Sequence, residues 1–394
     1  MKEGTFQEKI TSIETKEILW NGRKTMKHFK AALSVLIALA IPVLPGTAKA
    51  TPSRLWYDFE QDDAGFVPIF ADYPATEGAD TFYELDARHD SIPIEQAGKG
   101  LYLAGNNHSD DLFMGYYKEL TGLPENANCI FRVRLKLATN VRGGLVGIGG
   151  SPGSSVYVKC GITEKKPLAV VTEQKQYRLN LDKGNQGAGG KDMEIVGDLE
   201  QFDKLLPGKY EWKDIGAVIE ATPDKDGKAY FIIGTDSGFE GLSSYYIDDV
   251  EIEWIEKSEA PVSRAEAIQL LYEATSSNCE AASVFGDVDE DSPYRSAIGW
   301  TQNNRYISGH GNGTFTPNEK MTVEQAMTVL YRYAGSPPVS LDADLEKVSP
   351  WARNAVQWGL QKGLCEKSDF ADSSSVIGEG DYIIALWKVV ALRQ

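Results

Sequence analysis

The chain has 394 residues, 42% of them hydrophobic, and a formal charge of -17 at pH 7. That length and composition imply two or three ordinary globular domains. So acidic a balance excludes nucleic acid and anionic lipid as main partners, because both carry charge of the same sign.

Residues 26–50, MKHFKAALSVLIALAIPVLPGTAKA, read as a secretory signal. Lys27 and Lys30 give the positive start, Ala31 to Leu44 the apolar run, and Ala48-Lys49-Ala50 the small-x-small cleavage site. The run is short for a membrane span and is interrupted by Pro42 and Pro45. Residues 1–25 read as an over-extended start or a long leader ahead of Met26, so 1–50 are excluded from the mature fold. No later apolar run is long enough to span a bilayer, so no membrane insertion of the mature chain is expected.

Residues 51–256 have the texture of an all-β domain. Strand-like segments fall at 55–59, 101–103, 130–138, 144–149, 156–159, 177–180, 215–220, 230–233 and 245–254. In Phe131, Val133 and Leu135 against Arg132, Arg134 and Lys136, apolar and polar residues alternate, the period of a sheet with one wet face. Gly, Asn, Asp and Pro clusters separate the segments. The predicted fold is a two-sheet sandwich or jelly roll. Cys129 and Cys160 lie in two of these strands; buried free thiols are the default reading and a bridge between them the alternative.

The domain opens on Trp56-Tyr57-Asp58-Phe59-Glu60 and closes on Tyr245-Tyr246-Ile247-Asp248-Asp249-Val250-Glu251-Ile252. These terminal strands resemble those of jelly-roll carbohydrate-binding modules of the galactose-binding-like type. The resemblance implies calcium where first and last strands meet, held by Asp58, Glu60, Asp248 and Asp249. Solvated acids at strand ends are the plainer reading. For sugar contact, Asn180, Asp182, Asn185 and Gln186 could fix hydroxyls, with Trp212, Phe239 or Tyr245 giving flat apolar faces. Turns and core aromatics would leave the same residues behind. His89, His108 and His310 show no metal-ligand spacing, and neither a GxSxG elbow nor a phosphate-binding GxxxxGK[ST] occurs. Paired carboxylates for glycoside hydrolysis stay open, because their separation is not readable from sequence.

Lys257-Ser258-Glu259-Ala260-Pro261 forms a short polar linker, which keeps the two halves close. Beyond it the periodicity turns helical. Val262-Ser263-Arg264-Ala265-Glu266 leads into Ala267, Ile268, Leu270 and Leu271, with Ser263 as N-cap and Glu266 at the capping-box position. Phe285-Gly286-Asp287-Val288 precedes a helix bearing Tyr294, Ala297, Ile298 and Trp300 on one face. Gly309, Gly311 and Gly313 build a loop closed by Phe315 and Pro317, and Thr322 caps a further helix through Ala326, Val329 and Leu330. Ser349-Pro350-Trp351 and Trp358 repeat the first helix, and Ile377 to Leu386 the second.

That ordered series resembles the S-layer homology family: a half-repeat at 262–278, a repeat at 285–335 and a degenerate repeat at 345–391. The resemblance implies a helical pseudo-threefold prism whose grooves bind an anionic secondary polysaccharide of the cell wall. It assigns Ser263, Arg264, Glu266, Trp300, Gly309 and Gly311 to that site, with Arg264 at a helix N-terminus taking an acidic group. The Arg of this motif is replaced by Val323 in the second repeat and by Glu379 in the third, so at most one strong site is expected. The expectation is a multidomain, non-catalytic extracellular protein of the cell wall or surface layer, presenting a carbohydrate-binding sandwich. An extracellular polysaccharide-active enzyme and a surface-layer assembly subunit are the alternatives.

Overall fold

The alternating residues of Cys129–Thr139 set the pattern for the first half: Phe131, Val133, Leu135 and Leu137 are buried in the core, while Arg132, Arg134 and Lys136 take the other face. The computed structural model describes residues 53–109, 111–201, 208–275, 283, 285–340, 345–370 and 372–392. The expected leader and signal at 1–50, and Cys279, lie outside the described residues.

In chain order the elements are β1 (Ser53–Tyr57), β2 (Val67–Ala71), β3 (Tyr73–Pro74), α1 (Ala79–Phe82), β4 (Asp86–Ser91), β5 (Lys99–Asn106) and β6 (Leu112–Leu120). There follow β7 (Cys129–Thr139), β8 (Val156–Thr163), β9 (Ala169–Val171), β10 (Gln176–Leu179), β11 (Glu194–Asp198), β12 (Glu211–Ala221), β13 (Ala229–Ser237) and β14 (Leu242–Glu256). The helical part holds α2 (Arg264–Ala274), α3 (Arg295–Asn303), α4 (Val323–Tyr333), α5 (Arg353–Gln361) and α6 (Glu379–Ala391).

Two antiparallel sheets face each other across an apolar core. One runs β12-β7-β14-β5-β4, with β1 paired beside β14, and the other β11-β8-β13-β6-β2. A small sheet, β3-β10-β9, covers the outside of the second. The β14 strand organises the first sheet, pairing on one side with β7 and on the other with β5 and then β1. The predicted strand at 144–149 is a glycine-rich loop, while β2, β3, β4, β6, β9 and β11 are strands that the sequence pattern missed. Cys129 and Cys160 are buried free thiols in different sheets, each pushed above its usual pKa by burial.

The helical part is built around a closed cycle of backbone hydrogen bonds. Met321 N–H donates to Val262 O at 2.9 Å, Ile377 N–H to Met321 O at 3.0 Å, and Val262 N–H to Ile377 O at 3.1 Å. A second cycle follows at the helix starts, where Arg264, Val323 and Glu379 donate to Glu319, Ser375 and Ala260 at 2.9, 2.9 and 2.8 Å. Ser263 with Glu266, and Thr322 with Gln325, form complete capping boxes, whereas Gly378 caps α6 without a side chain.

In this threefold pattern each second helix lies against the first helix of the next repeat, α2 on α3 and α4 on α5. The α6 helix packs on β12 and β7 of the sandwich instead. Ile130 and Val218 of the sandwich belong to the apolar core of the helices, and Trp387 stacks over Arg132 at 5.8 Å. Lys257 bridges Glu220 and Asp381, at 2.9 Å each. Sheet and helices therefore share one core within a single unit covering Ala50–Gln394.

This shared core makes a test. Trp387→Ala empties a buried site on the seam and should cost about 3–5 kcal/mol. In the parent chain, heat should melt helix and sheet signals in one transition; the variant should melt its helices first. Separate transitions in the parent would contradict the shared core.

Candidate functional site

The residues named from sequence fall into four places. At the start of α2, Ser263 and Glu266 are occupied with capping, and the Arg264 side chain turns inward, only 3% exposed. Arg264 Nε donates to Phe315 O at 3.0 Å, and the guanidinium lies 4.8 Å from the Phe315 ring centre. Burial lowers the Arg264 pKa against the pull of Glu319 and Asp287. The Phe315 loop is held in turn by Asp287, whose carboxylate accepts from Phe315 N–H at 2.8 Å and Thr316 N–H at 2.7 Å.

Arg264 forms one wall of a cavity of about 280 Å³, bounded also by the 307–310 loop, one face of α4 and Trp351. Gly309 lines it, in a place where a Cβ would strike the Phe285 ring and Thr314 O. Trp300 and Gly311 do not: Trp300 is buried between Tyr272 and Tyr306, and Gly311 is exposed on the loop. Sequence reasoning missed Gln325, Thr328, Val329 and Arg332, which share the α4 face toward the cavity by their three- and four-residue spacing, and Trp351 on its rim. The spacing on the helix and the glycine loop were both readable in the sequence; that this helical face and Trp351 meet the loop was not.

The sugar candidates of the sandwich do not converge. Asn180 ties its own hairpin, donating to Lys166 O and accepting from Leu168 N–H, and Asp182 accepts from the Gly184 and Lys191 amides. Asn185 is exposed, while Gln186 N–H is drawn to Asp236 at 2.8 Å. This segment is fastened to the sheet by Lys159 and Asp236, both fully buried and 2.7 Å apart. Lys183 Nζ lies 2.8 Å from Asp236 and 2.9 Å from Asp72, while Arg178 reaches Asp72 and Asp111. Burial and Asp72 raise the Asp111 pKa to about 6, whereas Lys183 and Lys159 outweigh burial and lower that of Asp236. Asp72, Asp111 and Asp236 place carboxylate oxygens within 4.8 Å of one another, and the Lys183 ammonium already sits among them.

Phe239 is half-buried beneath the 147–150 loop, and Tyr245, 1% exposed, is a core residue donating to Met114 O. Trp212 stands on the outer face of the first sheet, in a cluster with Tyr102, Tyr210 and Tyr246. Tyr246 lies 4.9 Å from Tyr102 and 5.5 Å from Tyr210, and Arg88 rests 4.0 Å over Tyr102. The aromatic rings thus cluster on this outer face and not beside the polar loops.

Pairing of β1 with β14, Tyr57 against Val250, brings Asp58 and Glu60 to the same edge as Asp248 and Asp249. Asp249 adopts φ 50° in the irregularity that interrupts β14, and its carboxylate meets Lys136 Nζ at 2.7 Å. Asp248 is buried, its Oδ1 lacks a hydrogen-bond partner, and burial with the charges of Asp249 and Glu60 lifts its pKa to about 7. An orphaned buried oxygen beside two further acids fits a hard divalent cation such as calcium.

Two expectations follow. Without divalent cation, the folded chain holds the Asp248 proton more tightly than the unfolded chain. Its stabilising effect is full below about 3.8 and is lost as pH rises to about 7. Melting scans should lose up to about 1.4 kcal/mol per pH unit across that window, and Asp248→Asn should flatten the dependence. Separately, Arg264→Ala removes the charged donor from Phe315 O, which keeps only the Thr316 hydroxyl, and should lower stability by about 1.5–3 kcal/mol in denaturant titration.

Residues 284–327 match the family model of the S-layer homology domain. A stretch of 111 residues, 27% of the chain, is 30% identical to the Surface-layer 125 kDa protein of Lysinibacillus sphaericus and spans 9% of that relative's length. Among solved structures, the chain is similar to the CBM22-1 xylan-binding domain from Paenibacillus barcinonensis Xyn10C, at 11% identity over 53% of this chain and 99% of that one, with TM-score 0.27. It is also similar to TmCBM27, a carbohydrate-binding module studied for mannan recognition, at 13% identity over 52% of this chain and 98% of that one, with TM-score 0.27. No helix among the described residues is long and apolar enough to cross a membrane.

Proposed function

We propose that this chain attaches non-covalently to cell-wall secondary polysaccharide through its helical prism and presents a carbohydrate-binding, non-catalytic sandwich. The S-layer homology segment and the surface-layer relative assign it to the extracellular cell wall or surface layer. The observation that carries the attachment reading is the α4 cavity: two guanidinium groups and no carboxylate line it, in a chain of net charge -17. A local positive site on an acidic protein selects an anionic polymer and discourages other contacts.

For the sandwich, the half-buried Tyr102, Tyr210 and Trp212, clustered with the buried Tyr246, would offer apolar surfaces to pyranose rings, with Arg88 and Lys136 beside them for hydroxyl or acid groups. Single sites of this kind bind weakly, and wall attachment raises the local concentration that compensates for it. Asp248, with Asp58, Glu60 and Asp249, would hold calcium and so lock the first strand to the last. Because a ligand of the native state stabilises in proportion to its occupancy, calcium would favour ionised Asp248 and remove the acid preference of the cation-free fold.

The test uses the chain from residue 51. Sedimentation with purified wall polysaccharide should retain it at low salt and release it at high salt, and a panel of plant and wall polysaccharides should retard it in affinity gels without new reducing ends. Sustained release of reducing ends would make the sandwich an enzyme. Absence of any retention by acidic wall polymer would reject the attachment reading. Chelator should lower the melting temperature at pH 7.5, and equal melting with and without calcium rejects the cation site.

A further inference from the structure

The small sheet leaves one stretch of backbone open. Strand β9 pairs with β10 on one side and, among the described residues, with no strand on the other. Asn180 N–H donates to Leu168 O and Thr172 N–H to Gln176 O, each at 2.9 Å, and Val170 stands opposite Arg178. The even-numbered residues therefore turn their backbone groups to β10, and the N–H and C=O groups of Ala169 and Val171 face outward. The side chains along this edge are apolar and open: Leu168 is 47%, Val170 42% and Val171 59% exposed. An exposed apolar edge is a template for another strand.

The charges flanking the edge show which strand it fits. Lys165 and Glu173 stand four residues either side of Ala169. Both are exposed, and neither has an ion-pair partner among the described residues. An edge guarded against its own copies carries like charges, because like charges set opposite each other repel. Here the two signs differ. When two copies pair antiparallel about a twofold axis through Ala169, Leu168 meets Val170, Pro167 meets Val171 and Lys165 meets Glu173, each pair twice by symmetry. No like charges face one another, since Glu164 falls opposite Gln174, Lys166 opposite Thr172 and Lys175 opposite Thr163. Moving the axis to Val170 sets Lys165 against Lys175, so charge tells the two registers apart.

We propose that β9 is a self-association edge, at which two copies of this chain pair antiparallel about a twofold axis at Ala169 and join their small sheets into one. The partner is a second copy because the edge is complementary to itself in backbone, apolar side chains and charge. Each Ala169 exchanges its N–H and C=O with its counterpart, and each Val171 N–H donates to the Pro167 carbonyl across the axis. Pro167 has no N–H to return, so the ladder ends there and the contact stays small. An interface of that size is weak and depends on concentration. Chains held side by side on a surface meet at high local concentration, where a weak contact suffices, and a pair attaches at two points instead of one. The pairing itself does not rest on the attachment reading.

The experiment is sedimentation equilibrium of the chain from residue 51 at low salt, with no polysaccharide in the sample. The parent should show a reversible monomer–dimer equilibrium with a dissociation constant of about 10–100 µM. Lys165→Glu and Glu173→Lys each set like charges opposite one another twice, and each should weaken the dimer by about tenfold or more. The double variant exchanges the two signs and should recover the parent's affinity. Val171→Lys, at an exposed position, should remain monomeric while melting as the parent does. A parent that stays monomeric up to about 300 µM overturns the proposal and leaves the edge to an extended segment of another protein. A dimer that survives Val171→Lys and both charge reversals lies on another surface and overturns it equally. Weakening in both single charge variants that the double variant fails to reverse overturns the pairing of Lys165 with Glu173.

Discussion

The cycle joining Val262, Met321 and Ile377 is the constraint on which the helical half depends. Each of these residues donates to one neighbour and accepts from the other, so no member can leave without freeing two buried backbone groups. The cycle fixes where three helices begin, and the caps at Ser263, Thr322 and Gly378 follow immediately. Arg264 then has one direction to go, over Phe315, and the α4 cavity is what remains between that wall and Trp351. The third repeat keeps its place in the cycle although its side-chain cap and glycine loop are lost. Backbone pairing tolerates that erosion because it does not need the side chains.

The sandwich completes what the repeats leave open. A prism of this kind buries each second helix against a following first helix, and α6 finds β12 and β7 in that position. Gly216 leaves room there, close to the Ala391 methyl, and Val218 and Ile130 present apolar side chains from a face otherwise lined with charge. The same outer face carries Arg132, Arg134 and Lys136 against Glu253, Glu251 and Asp249, and farther along the aromatic cluster. One sheet surface thus serves three purposes in sequence: helix packing, charge pairing and a cluster of half-buried rings.

What could be read from sequence was what is local. Ser263 with Glu266, and Thr322 with Gln325, sit three residues apart, so the capping boxes are visible in a short window. The alternation in β7 is equally local, and it foretold the core. Tyr245 was misleading because a tyrosine in a strand fits core and surface alike, and only its bond to Met114 O separates the two. Asn180 and Asp182 look like sugar contacts by type but satisfy their own turn. The strands β2 and β6 were missed because both their faces are covered in part, which erases the alternation. Arg332 carries no motif at all. Its meaning comes from the 307–310 loop and Trp351, brought to it by the fold.

The joint between the halves has a geometric outcome. Strand β14 ends at Glu256, Lys257 N–H donates to Asn128 O at 2.8 Å, and Ser258 and Ala260 accept from Gly380 and Glu379 at the start of α6. Every residue of this crossing is therefore engaged within a few steps, unlike a tether that sweeps out a sphere. A chain gripped at its prism would hold its aromatic face at one angle to the gripping surface. Encounters there would be selected by approach direction, so that strands running along one axis of the surface meet the rings flat and strands crossing it meet only their edges.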